Sequence, residues 1–99
     1  MIRVIIERRL KRENKEALIP LLNQLRAKAV HRPGYVSGET LSSIEDASVM
    51  VVLSSWRNLT DWRMWEDSKE RVELYKEIEP LLEEKPKVSV FRVAATEGE

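Results

Sequence analysis

Three tryptophans fall within ten positions of one another, at Trp56, Trp62 and Trp65. Trp62 and Trp65 are three apart, so on a helix they point to the same side. Each ring can bury about 150–250 Å² and offers a single indole donor. Such a cluster is either a hydrophobic plug, in the core or at a dimer seam, or a stacking wall for a flat aromatic ligand. Tyr75 and Ser68 add hydroxyls nearby in sequence. Tyr75 reads as core with its hydroxyl at the edge, and Ser68 as a helix N-cap. Glu7 and Arg92 are candidate polar groups in a mostly apolar pocket. Otherwise they pair with Arg3 across strands on a wet face. His31 is the only histidine and stands far from Ser68, so no Ser–His nucleophile is expected. It suits a helix C-terminus. The basic run Arg8–Arg12 is bracketed by Glu7 and Glu13 and reads as a solvated turn.

The elements that must position these residues follow from periodicity. Ile2 to Leu10 is β-branched and partly alternating, a first strand with Ile2, Val4 and Ile6 on one face. Asn14 is a plausible N-cap for a helix whose apolar stripe is Leu18, Leu21, Leu22, Leu25 and Ala29. Pro20 within it predicts a kink or a delayed start. Pro33-Gly34 turns the chain into a second, more polar strand running from Tyr35 to about Glu45. Glu45 to Ser48 forms a hairpin turn. The third strand runs from Val49 to near Trp56 and is apolar at every position through Leu53. A short helix around Trp62 to Glu66 follows. A longer one then restarts at Asp67 or Ser68, with Val72, Tyr75, Ile78 and Leu82 as its stripe and Pro80 disrupting its end. Val88 to Val93 is the last strand, and the small, acidic tail Ala94 to Glu99 is expected to fray.

The order β, α, β, β, α, β predicts an α+β, ferredoxin-like antiparallel sheet with helices on one face. A third strand apolar on both faces needs cover on both, and one helix layer supplies only one. A homodimer with facing sheets resolves this. Its shared interior would hold Glu7 and Arg92.

The chain has 99 residues, with seventeen basic and seventeen acidic side chains and no cysteine. One domain over residues 1–99 is expected, ordered from about 2 to 93. A chain this small does not easily enclose a deep site alone, which again favours a second copy. Zero net charge argues against nucleic acid as a partner. The absence of cysteine and of a second histidine excludes thiol chemistry and multi-histidine metal sites. No apolar run reaches membrane-spanning length, and a soluble, cytoplasmic protein is expected.

The Pro33-Gly34 turn, the strand ending at Trp56, Ser68, Pro80-Leu81-Leu82 and the Val88–Val93 strand together resemble the antibiotic biosynthesis monooxygenase family. The resemblance covers about Ile2 to Val93. It implies a dimeric α+β barrel and, for some members, oxygenation of polycyclic phenols with neither metal nor flavin. Trp56 matches the Trp that closes the third strand in the family. Where many members carry two histidines, this chain has Trp65 and Glu70. Where the antibiotic-tailoring oxygenases carry Tyr, Asn and Arg, it has Trp62, Val52 and Lys76. The histidine and first-strand asparagine of the heme-degrading relatives are missing, which disfavours that reaction.

The resemblance thus implies a cofactor-independent monooxygenase acting with O2 on a small aromatic or polycyclic phenol. Trp56, Trp62, Trp65 and Tyr75 would bind the rings, Lys76 or Arg92 would favour the substrate anion, and Glu7 would accept its proton. The alternative is a non-catalytic module of the same fold that binds a small aromatic ligand or serves dimerisation. A packed structural domain is the third reading.

Overall fold

The computed structural model describes residues 1–94, so the expectation for the tail lies, beyond Ala94, outside the described residues. Strand β1 (Ile2–Arg9) leads through a 3-10 turn (Arg12–Asn14) into α1 (Lys15–Ala29). Strands β2 (Tyr35–Ser42) and β3 (Val49–Trp56) form a hairpin, followed by α2 (Leu59–Glu66) and α3 (Lys69–Ile78). A second 3-10 turn (Glu79–Leu81) precedes β4 (Lys87–Arg92). The sheet is antiparallel, in the order β2-β3-β1-β4. This is the α+β, ferredoxin-like arrangement expected from the element order.

Period two decides which side of the sheet meets the helices. Ile2, Val4, Ile6 and Arg8 of β1 are all buried on one face, and Leu10 continues the row. Their register partners on β3 are Trp56, Ser54, Val52 and Met50, so these share that face. The helices supply Leu18 and Leu25 from α1, Trp62 and Trp65 from α2, and Leu74, Tyr75 and Ile78 from α3. The opposite face carries Ile5, Val49, Val51 and Leu53, all half-buried, with Leu41 and Phe91 exposed beside them.

Several local expectations are corrected. Helix α1 runs through Pro20 from Lys15 to Ala29. Only the bond to the Glu16 carbonyl is lost, and both residues are exposed, so water can solvate that oxygen. Asn14 precedes α1 but makes no capping bond; its Nδ2 donates to the Leu81 carbonyl at 3.4 Å instead. Strand β2 stops at Ser42, short of Glu45. In α3 the stripe is Arg71, Leu74, Tyr75 and Ile78, while Val72 is exposed.

The caps at α2 and α3 are as their residue types suggest. Asn58 Oδ1 accepts from the Asp61 amide at 2.8 Å, and Ser68 Oγ from the Arg71 amide at 3.3 Å. In the β2–β3 turn, Asp46 accepts from the Ser48 hydroxyl at 2.6 Å and from its amide at 3.0 Å. These bonds, aided by Arg9, hold the Asp46 carboxyl below its ordinary pKa. Before β2, Gly34 has φ of +84°. A Cβ there would run into the Asp61 side chain, so the turn requires glycine twice over.

Candidate functional site

The helix-facing side of the sheet does not close completely against the helices. A cavity of about 230 Å³ remains between them. Its floor is the sheet, with Ile6, Val52 and Ser54 among the residues that reach it. Leu22 and Ala29 of α1 form one wall, and Tyr35 with Gly38 of β2 another. Gly38 matters here because a Cβ on it would come 2.6 Å from the Tyr35 hydroxyl. The missing side chain leaves room for the tyrosine ring beside the strand.

Trp56, Trp62 and Trp65 all line this cavity, at 1%, 1% and 3% exposure. They are therefore core and wall together, because α2 lays its two tryptophans over the end of β3. Trp56 meets Trp62 edge-on at 5.6 Å and Tyr35 at 5.4 Å between ring centroids. The Trp56 indole donates to Ser54 Oγ at 3.1 Å, whereas the buried Trp62 Nε1 has no partner among the described residues.

Two arginines complete the lining. Arg8, expected in a solvated turn, is 3% exposed and donates from Nη2 to the Tyr75 hydroxyl at 2.6 Å. Its Nε is buried without a partner among the described residues. Arg71 stacks over the Tyr75 ring at 4.4 Å and lies 5.4 Å from the Trp62 ring centroid. Desolvation pulls its pKa below the ordinary value, opposed by Tyr75 and the Glu66 carboxylate. Among the described residues, neither guanidinium has a carboxylate within 4.0 Å.

Neither arginine stands out in the sequence, but both obey its periodicities. Arg8 continues the inward row Ile2-Val4-Ile6, and Arg71 stands one turn before Leu74 and Tyr75. The charge of each hides its place in an apolar pattern.

The other polar residues expected to act lie outside this cavity. Glu7 is exposed on the face turned away from the helices, because its register places it opposite Val51. Arg92 pairs with Ile2 on the edge strand and is exposed. It shares neither a face with Glu7 nor the lining of the tryptophan cavity. Lys76 is an exposed residue of α3 with its ammonium 2.9 Å from Glu73. Tyr75 is buried behind Arg8 and opens toward a second cleft between α3 and β4, which Lys76 also borders. This cavity is formed within one chain. Among the described residues no three His, Cys, Asp or Glu side chains are grouped to hold a metal ion.

The family model for antibiotic biosynthesis monooxygenases matches residues 1–77. The chain belongs to this family. Solved structures agree on the fold. A conserved protein from Methanosarcina mazei superimposes with a TM-score of 0.88 at 16% identity, covering 94% of this chain and 92% of that one. Rv0793 from Mycobacterium tuberculosis gives 0.86 at 17% identity, covering 95% of each chain. A mutant form of SnoaB, a cofactor-independent oxygenase from Streptomyces nogalater, gives 0.83 at 13% identity. That match covers 99% of this chain and 97% of SnoaB. No protein of curated function gives a significant match.

Proposed function

We propose that the protein is a cofactor-independent monooxygenase of a small aromatic substrate, with the cavity between sheet and helices as its active site. The observation that carries this reading is a tryptophan-walled cavity lined by two buried or partly buried arginines. In such chemistry the substrate supplies the electrons. An activated methylene loses a proton, and its carbanion donates an electron pair to O2 as a C–O bond forms. The resulting peroxide takes up a proton and eliminates water, leaving a carbonyl. One oxygen atom enters the product and the other leaves as water.

The protein's own contribution is to stack the ring against Trp56, Trp62 and Trp65, exclude water, and stabilise the anion electrostatically. Cationic surroundings lower the pKa of a bound acid, so the proton can leave to solvent without a carboxylate base. Size restricts the substrate. A cavity of about 150 Å³ accepts benzene, so the larger volume here favours a substituted ring or two fused rings.

The same lining supports binding without turnover as a second reading, since Glu7 lies outside it. Oxygen uptake with 1,3-dihydroxynaphthalene separates the two, with chelator present and no flavin or metal added. The expected result is conversion to the hydroxynaphthoquinone above the spontaneous rate, abolished in Ala29→Phe, which fills the cavity from α1. Uptake equal to the uncatalysed rate leaves the binding module as the function.

The apolar outer face of the sheet supports a further element of this reading. Two chains pair through Ile5, Val51 and Leu53 as a homodimer, and the protein works in the cytoplasm.

A further inference from the structure

Arg8, Arg71 and Trp62 all line the cavity, and the Tyr75 ring lies against both arginines. Two guanidinium groups share one phenol ring as neighbour, 5.7 Å and 4.4 Å from its centroid. Arg8 gives one N–H to the tyrosine hydroxyl and keeps its Nε unpaired among the described residues. The Trp62 indole N–H is likewise buried and unpaired among the described residues. Buried donors left without acceptors are costly, and an arginine pair without a carboxylate more so. These donors match one acceptor type, since a guanidinium and an indole N–H donate and never accept.

We propose that Arg8 and Arg71 form an oxyanion subsite that selects a one- or two-ring aromatic substrate carrying a carboxylate or an acidic phenol. The tryptophans take the ring and the guanidinium groups take the charged oxygen. Arg8 is oriented by the Tyr75 hydroxyl, which makes Tyr75 a positioning residue. This specificity rests on the cavity being the substrate site. It does not require turnover, so a binding module would show it equally.

The test is calorimetric titration with 2-naphthoate and with its neutral counterpart 2-naphthamide. The wild type is expected to bind the acid at least about ten-fold more tightly, the equivalent of one charge-assisted hydrogen bond. In Arg71→Gln the ratio of acid to amide affinity is expected to fall toward one. Arg8→Met provides a second variant, with cooperative unfolding checked for both. Phenols are tested with 4-nitrophenol, at a pH below its own pKa. The wild type is expected to raise the phenolate absorbance band, and Arg71→Gln not to. A response to only one probe assigns the subsite to that oxyanion.

Equal affinity for acid and amide, together with an unshifted nitrophenol, overturns the proposal, as does failure to bind any of the probes. Oxygen uptake on the same preparations keeps the two readings apart. Uptake without anion preference retains the oxygenase and discards the subsite, whereas anion preference without uptake does the reverse.

Discussion

A guanidinium buried beneath a helix must be compensated by its immediate neighbours, and for Arg8 the described neighbour is one phenol oxygen. Tyr75→Phe removes that oxygen while keeping the ring, so the arginine loses its side-chain acceptor. The expected cost is about 1–3 kcal/mol, the range for a buried polar group left unsatisfied. Adding Arg8→Met removes the orphaned charge and replaces it with an apolar chain of comparable length. Such replacements are often neutral or stabilising, so the double variant should recover most of the loss. Urea unfolding of the four proteins in this cycle checks it, and purely additive losses would contradict the coupling. The same residues show what the sequence conceals. The tryptophan cluster is legible because three rings in ten positions are conspicuous in any pattern. Arg8 is not, because in a run of basic residues its charge favours the solvated reading, and only its parity with Ile2, Val4 and Ile6 points inward.

Helix α2 holds the tryptophans where the cavity needs them, and a turn far back in the chain fixes where α2 begins. Gly34 accepts a hydrogen bond from the Arg57 amide at 2.8 Å, tying the start of β2 to the segment that enters α2. Its φ of +84° and its approach to the Asp61 side chain leave no room for a Cβ. Gly34→Ala is therefore expected to destabilise the fold by about 1–3 kcal/mol or more, since backbone strain and collision act together. It should also weaken 2-naphthoate binding, because Asp61 must move and Trp62 is its neighbour. Thermal unfolding and the calorimetric titration check this, and an unchanged midpoint would contradict it. At this scale the sequence is more informative. Strong periodicity and turn residues give the element order, the Ser68 cap and the β3 limits. The misreadings arise where one residue type has two uses. Val72 has the chemistry of a core residue but the wrong phase, and Leu74 takes its place. Pro20 has the chemistry of a helix breaker, but it stands where the carbonyl it frees can be solvated.

For the whole molecule the decisive fact is that the sheet separates two apolar regions. On one side the helices cover the core and leave a cavity bounded by a single chain. On the other, Ile5 and Leu53 sit opposite one another at the centre of the β1–β3 register, with Val51 next along. Arg3 and Glu7 flank Ile5 on that face, and a two-fold axis brings a surface against its own copy. Opposite charges on either side of an apolar strip can satisfy each other across such an axis, consistent with a chain of zero net charge. Leu53→Arg places a cation at the centre of that strip, where two copies would repel one another. Sedimentation velocity is expected to give twice the chain mass for the wild type and a single chain for the variant. A monomeric wild type at micromolar concentration would dismiss the pairing. The variant also tests where the site lies. Because the cavity walls come from one chain, a folded Leu53→Arg monomer should bind 2-naphthoate within about two-fold of the wild type, the Leu53 side chain lying on the opposite face of the sheet from the lining. If binding instead disappears with the dimer while unfolding stays cooperative, the partner must complete the cavity. The expectation that a chain this small needs a second copy to enclose its site would then hold in a form the single chain does not show.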